Sequence, residues 1–181
     1  MRRLSAILGC LLAAAGLQAA TLEKLSFEDL VGKSTAIVRA RVTSTYAAAR
    51  GSLIYTHYRV QVLDRWKGAA SSEVDFALPG GTASGMRQHF AGVPTLTVGT
   101  EYVLFLWTGP RSGVTQIMGL TQGLFNVKTD AHGNILAYRP ASADLMLDQA
   151  TGQPVKDEAM ELSLTELGRR ITETQAAGAK K

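Results

Sequence analysis

Between Ala36 and Trp66 the chain alternates apolar and polar residues with period two, and no other pattern in it restricts the fold as tightly. Ala36, Val38, Ala40 and Val42 fall on one face of the first run, with Ile37, Arg39, Arg41 and Thr43 on the other. In the second run Ile54, Tyr58, Val60, Val62 and Trp66 share a face opposite Tyr55, His57, Arg59, Gln61 and Arg65. Successive strand side chains point to opposite faces, so each run predicts a strand with one buried and one wet side. The two are expected to pair through a loop from Ala47 to Ser52.

A third strand is predicted with Val74, Phe76 and Leu78 inward and Glu73 and Asp75 outward. A loop from Pro79 to Pro94 follows, containing Gly80, Gly81, Gly85 and Gly92. Tyr102 to Trp107 is apolar on both faces, the pattern of a central strand covered on each side. Shorter strands are expected at Gln116 to Leu120, Leu124 to Val127 and Asn134 to Tyr138, the last after the turn Asp130–Gly133. Capping-box patterns mark two helices: Ser26 with Asp29, closed by Gly32, and Ser163 with Glu166, carrying Leu164, Leu167 and Ile171 on one face. The expected fold is therefore mainly β, a small OB-like closed barrel over 21–155 with a short N-terminal helix, a C-terminal helix over 156–176 and a disordered tail at 177–181.

Arg2 and Arg3 precede an uncharged apolar run from Leu4 to Leu17, closed by Ala19 and Ala20, which is the layout of a cleavable export signal over 1–20. The run falls short of the roughly 20 apolar residues that span a bilayer, so no integral membrane segment is expected once the signal is cut near Thr21. An exported protein, periplasmic or secreted, follows. Cys10 after Ile7-Leu8-Gly9 is the single cysteine, and too few apolar residues precede it for a lipoprotein site. The mature chain would hold no disulfide and depend on its core, which a chain of about 160 residues can supply. Lys plus Arg number 19 against 15 Asp plus Glu. Setting aside Arg2, Arg3, Lys180 and Lys181 leaves 15 against 15, a body with little field to draw a phosphate backbone, so no nucleic-acid partner is expected.

The Gly-rich loop is where chemistry would sit. Its Gly80-Gly81-Thr82-Ala83-Ser84-Gly85 run lacks the Lys and Ser/Thr of a phosphate loop, the G-x-G-x-x-G spacing and the G-x-S-x-G elbow. Ser84 and His89, oriented by Asp75, could meet in space as an exported hydrolase. The histidines His57, His89 and His132 are isolated in sequence, so neither a metal nor a cofactor is expected. Arg39, Arg41, Arg59 and Arg65 would form an outward basic face unless Glu73 and Asp75 on the next strand pair with some of them. A glycan- or lipid-binding envelope role through Trp107 and Tyr102 would need both rings exposed.

Ala36-Ile37-Val38-Arg39-Ala40-Arg41-Val42, then Tyr55-Thr56-His57-Tyr58-Arg59-Val60-Gln61-Val62 ending in Trp66-Lys67-Gly68, resembles an uncharacterised class of bacterial exported proteins. Leu78-Pro79-Gly80-Gly81, Gly92-Val93-Pro94, and Val98-Gly99 ahead of Tyr102-Val103-Leu104-Phe105-Leu106 carry the same likeness. That class is similar to netrin-module and metalloproteinase-inhibitor-like barrels of the OB type, and the likeness covers residues 33–139. It implies a five- or six-stranded barrel with a packed helix and a role in binding another protein. In tissue inhibitors of metalloproteinases an N-terminal cysteine chelates the target's zinc; with no cysteine in the mature chain, that mechanism does not carry over.

The function expected is a non-enzymatic, inhibitor-like module without catalytic residues that binds another exported protein. Thr82, Ser84, Met86, Arg87, His89 and Phe90 are the expected contact residues, mixing flexible small groups with an Arg and aromatic anchors of the kind enriched at interfaces.

Overall fold

In a computed structural model, which describes residues 20–179, the chain opens with β1 (Thr21–Glu23) and α1 (Phe27–Lys33) and enters a long hairpin, β2 (Ala36–Arg50) and β3 (Leu53–Lys67). Next come β4 (Glu73–Pro79), the small hairpin β5 (Gly81–Ala83) and β6 (Met86–Gln88), then β7 (Glu101–Thr108) and β8 (Thr115–Ile117). A 3-10 turn at Leu120–Gly123 leads to β9 (Leu124–Thr129) and β10 (Ile135–Arg139). The chain ends with β11 (Leu145–Leu147), β12 (Pro154–Val155), β13 (Met160–Ser163) and α2 (Leu164–Gly178). The expected signal lies outside the described residues except for Ala20, and among the described residues no helix is long and apolar enough to cross a membrane.

The main sheet has eight strands, in the order β13-β10-β9-β7-β2-β3-β4 with β8 also on β7, and every ladder in it is antiparallel. β4 curls round to lie beside β8, but among the described residues no ladder joins the two ends of the sheet. The mainly β fold with one helix near each end is as expected, whereas among the described residues no sheet is closed into a barrel.

The β2–β3 hairpin departs from its expected form in two ways. Pairing runs on to Arg50 opposite Leu53, so the loop shrinks from 47–52 to Gly51-Ser52, with Gly51 at φ 63° making the turn. Register shifts between Ile37 and Val38, Arg39 and Ala40, and Val42 and Ser44 insert Trp66, Leu63 and Thr43 as bulged residues. One extra residue reverses which face a strand's side chains take. Trp66 therefore leaves the face of Val60 and packs in the layer beneath the helices.

Two cores result. Val38, Ala40, Val60, Phe76, Tyr102, Leu104 and Leu106 pack inside the curl of the sheet, and Ile37, Val103, Phe105 and Phe125 pack against Phe27, Leu30, Leu167 and Ile171 of the helices. β7 thus contributes to both cores, as its two-faced sequence predicts. Ile37, expected to face outward, is buried because the helical layer covers that side of the sheet. Burying each such side chain is worth about 1.5–3 kcal/mol.

At α1 the full capping box forms: Ser26 Oγ accepts from the Asp29 N–H at 2.9 Å and the Ser26 N–H donates to Asp29 Oδ2 at 3.3 Å. Gly32 does not end this helix; Lys33 does, and Lys67 Nζ donates to the Val31 and Gly32 carbonyls at its C-terminus. Ser163 caps α2 through the Glu166 N–H, but the Glu166 carboxylate turns to Arg169, so only half the box is made. With that cap at Ser163, residues 156–163 cannot be helical: Met160–Ser163 pairs with β10 instead, and the helix runs on to Gly178, into the expected tail. Gly119 and Leu120, both left-handed, end β8 early and break the expected strand to Leu120. The buried Gln122 holds the N-terminal segment by accepting from the Leu25 N–H and donating to the Glu23 carbonyl.

Candidate functional site

The expected Pro79–Pro94 loop is largely ordered as a flap. Gly80 and Gly81, at φ 102° and 129°, lay the chain flush across the β2–β3 arm, where a Cβ on Gly81 would stand 2.6 Å from Thr56 Oγ1 and 3.1 Å from Ala47 Cβ. The Gly80 N–H donates to the Ile54 carbonyl at 2.7 Å, and Thr56 Oγ1 donates back to the Gly80 carbonyl at 2.8 Å. β5 and β6 then pair through a two-residue turn in which Ser84 and Gly85 both have positive φ, 51° and 75°. A turn with that pair of signs matches the right-handed twist of a hairpin. Gln88 ties the flap down, accepting from the Ile54 N–H at 2.7 Å and donating to the Ser52 carbonyl at 2.8 Å.

Between this flap, the following loop to Leu96 and the inner face of the sheet lies a cleft of about 330 Å³. Tyr58, Leu78 and Leu96 form its floor, Thr82, Arg87 and His89 its flap side, and Phe90 and Pro94 its rim. The loop is fixed by two phenols, Tyr58 accepting from the Leu96 N–H and Tyr102 from the Thr97 N–H. Burial pushes the Tyr58 hydroxyl above its ordinary range, against the opposing pull of the Leu96 amide, so it stays protonated. Among the described residues Arg87 has no carboxylate partner, leaving a free guanidinium beside a half-apolar cleft.

Four of the six expected contact residues, Thr82, Arg87, His89 and Phe90, line this cleft. The other two do not. Ser84 sits in the flap turn and Met86, 58% exposed, lies outside the lining. The hydrolytic grouping is not assembled. His89 follows β6, in which Gln88 pairs with Gly81, so His89 lies about 10 Å along the flap from the Ser84 turn at ordinary strand rise. Both Asp75 oxygens are held by Arg59, at 2.9 and 3.1 Å, and this holds the carboxyl below the usual range. Among the described residues no carboxylate, serine or cysteine lines the cleft. His57 stacks on Tyr46, ring centroids 4.7 Å apart, and His132 lies in the exposed Asp130 turn. Among the described residues no three His, Cys, Asp or Glu side chains converge as a metal site.

Three of the four outward arginines are neutralised, though mostly not by the carboxylates expected, and the fourth meets a backbone carbonyl. Arg59 pairs with Asp75; Arg39 bridges Asp64 at 2.6 Å and Glu101 at 3.2 Å; Arg41 also reaches Glu101; Arg65 donates to the Ser71 carbonyl. Trp107 is 39% exposed but Tyr102 is buried, so the two rings do not form the joint exposed surface that a glycan or lipid site needs. Gln88 and Tyr58 are the site residues that sequence reasoning missed. The Ser-Gly dipeptide between two short runs does signal the flap turn, but nothing local marks Gln88 as a backbone clamp.

No family model, curated protein or solved structure matches the chain.

Proposed function

We propose that this chain is an exported binding module that takes a segment of another exported protein into the cleft beneath the flap, without catalysing a reaction on it. The observation that carries the reading is the convergence of Thr82, Arg87, His89 and Phe90 on one cleft, with a free guanidinium and an aromatic rim over an apolar floor. Arg and aromatic anchors that a partner desolvates on docking are where binding energy concentrates at interfaces. The guanidinium favours a partner segment bearing a carboxylate, which it can engage with two parallel bonds. An OB-like curl, of the kind shared by netrin-module and metalloproteinase-inhibitor-like domains, is the architecture we assign: bulges bend the long hairpin and bring β4 beside β8.

The test is capture of exported proteins on the immobilised exported chain, beside an Arg87→Ser/Phe90→Ala variant and an exposed-arm control, Arg50→Ala. A partner retained by the wild type and the control and lost about tenfold or more by the cleft variant, at equal melting temperature, supports the reading. Equal capture by all three refutes it.

A further inference from the structure

We infer that the leader is cut between Ala19 and Ala20, and that the amino group released there is captured by Asp144. The inference rests on the export reading above and goes beyond it, because the sequence offers an alanine at both candidate last positions of the leader. The fold distinguishes them. Ala20 is built into the domain: its nitrogen lies 3.2 Å from Asp144 Oδ1, and its carbonyl accepts from the Leu145 N–H at 3.1 Å, one step ahead of the parallel β1–β11 ladder. A cut after Ala20 would remove both bonds. A cut before it keeps both and strengthens one.

Hydrolysis adds the hydroxyl of water to the Ala19 carbonyl carbon and leaves the Ala20 nitrogen, with the proton, as an amine that is an ammonium at neutral pH; the catalyst is the leader peptidase of the export route. An amide N–H on a carboxylate, a bond in which only the acceptor is charged, thereby becomes an ion pair between an ammonium and a carboxylate. The carboxylate is already oriented for it, because Ser142 Oγ donates to Asp144 Oδ2 at 3.0 Å. A third segment meets them there. Gly92, at φ 75°, lies so close that a Cβ on it would stand 2.9 Å from Asp144 Oδ2 and 3.1 Å from Ala20 Cβ. Gly92 belongs to the loop between Phe90 and Leu96 that walls the cleft, so the captured N-terminus braces the candidate site from behind.

N-terminal sequencing of the exported chain tests the cut. Ala-Thr-Leu-Glu is expected; Thr-Leu-Glu overturns the inference and leaves export standing, whereas an intact Met1 chain overturns the export reading as well. Capture is tested by Asp144→Asn in two backgrounds, the chain beginning at Ala20 and one carrying a single serine ahead of it, which turns the amine back into an amide. The substitution should lower the melting temperature by about 2–4 °C in the first and much less in the second. Equal losses in both would overturn capture of the amino group.

Discussion

Gln88→Met should open the flap without disturbing the rest of the sheet. In the wild type the Gln88 carboxamide makes two bonds to backbone groups of the arm, at 2.7 and 2.8 Å, and no other flap side chain reaches the backbone of Ser52 or Ile54. A neutral hydrogen bond contributes about 1 kcal/mol net, so losing both costs about 2 kcal/mol. Since each 1.4 kcal/mol is a factor of ten, the open population should rise about 30-fold. Methionine keeps the length and volume of glutamine, so the change measures lost bonds and not a cavity. Arg87 rides on the flap as an exposed trypsin site, and a protease needs the surrounding chain free. When reclosing is faster than cutting, the cleavage rate follows the open population. Initial cleavage after Arg87 should therefore accelerate about 30-fold, while cleavage after Arg169 on α2 keeps its wild-type rate. A Gln88→Met chain cut after Arg87 at the wild-type rate would show that Gln88 does not hold the flap.

Three further outcomes are expected. Ser84→Gly relieves a left-handed residue that carries a Cβ, worth about 1 kcal/mol, and should raise the melting temperature by about 2–4 °C; a fall would contradict the turn assignment. Phe105→Ala empties the junction of Phe27 and Phe125 under the helices and should cost about 3–5 kcal/mol in urea unfolding, with a loss under 1 kcal/mol counting against the two-faced core. Burial pushes the Asp157 carboxyl up, yet the Arg139 guanidinium and the Ser142 and Glu158 amides outweigh it and hold the carboxyl below its ordinary range. A depressed folded value means stability that is complete above the unfolded value of about 3.9 and lost as pH falls through the folded one. Melting temperature should drop below about pH 4 in the wild type; Asp157→Asn should flatten that slope and cost about 3–5 kcal/mol at pH 7 by leaving Arg139 buried and unpaired.

Much of this was legible in the sequence where one local rule decided the outcome. The two-faced run from Tyr102 to Trp107 could only be a covered central strand, and Ser26 and Ser163 announced their helices through hydroxyls with few better uses. Legibility failed where the deciding partner was distant. Trp66 obeys the alternation on paper, but the bulged residues that turn it toward α2 depend on pairing with β2. Arg39 and Arg41 carry no sign that Glu101 will meet them, because β7 reaches β2 from 60 or more residues away. The candidate site was half visible: its glycines and contact residues stood out as a composition, whereas Gln88, an ordinary polar residue, acquires its role only when the flap folds onto the arm.

The burial of β7 on both faces has a consequence for the chain before it folds. Tyr102-Val103-Leu104-Phe105-Leu106-Trp107 holds six β-favouring or apolar residues with no charge, proline or glycine, the composition of a segment that stacks with copies of itself. While unfolded it is an adhesive stretch. Glu101 on one side, and Pro110 and Arg111 on the other, bound it with the charge and the ring that interrupt such stacking. Glu101 therefore serves twice: it guards the exposed segment early, and once β7 is in place it receives Arg39 and Arg41, so the guard becomes part of the sheet it protected.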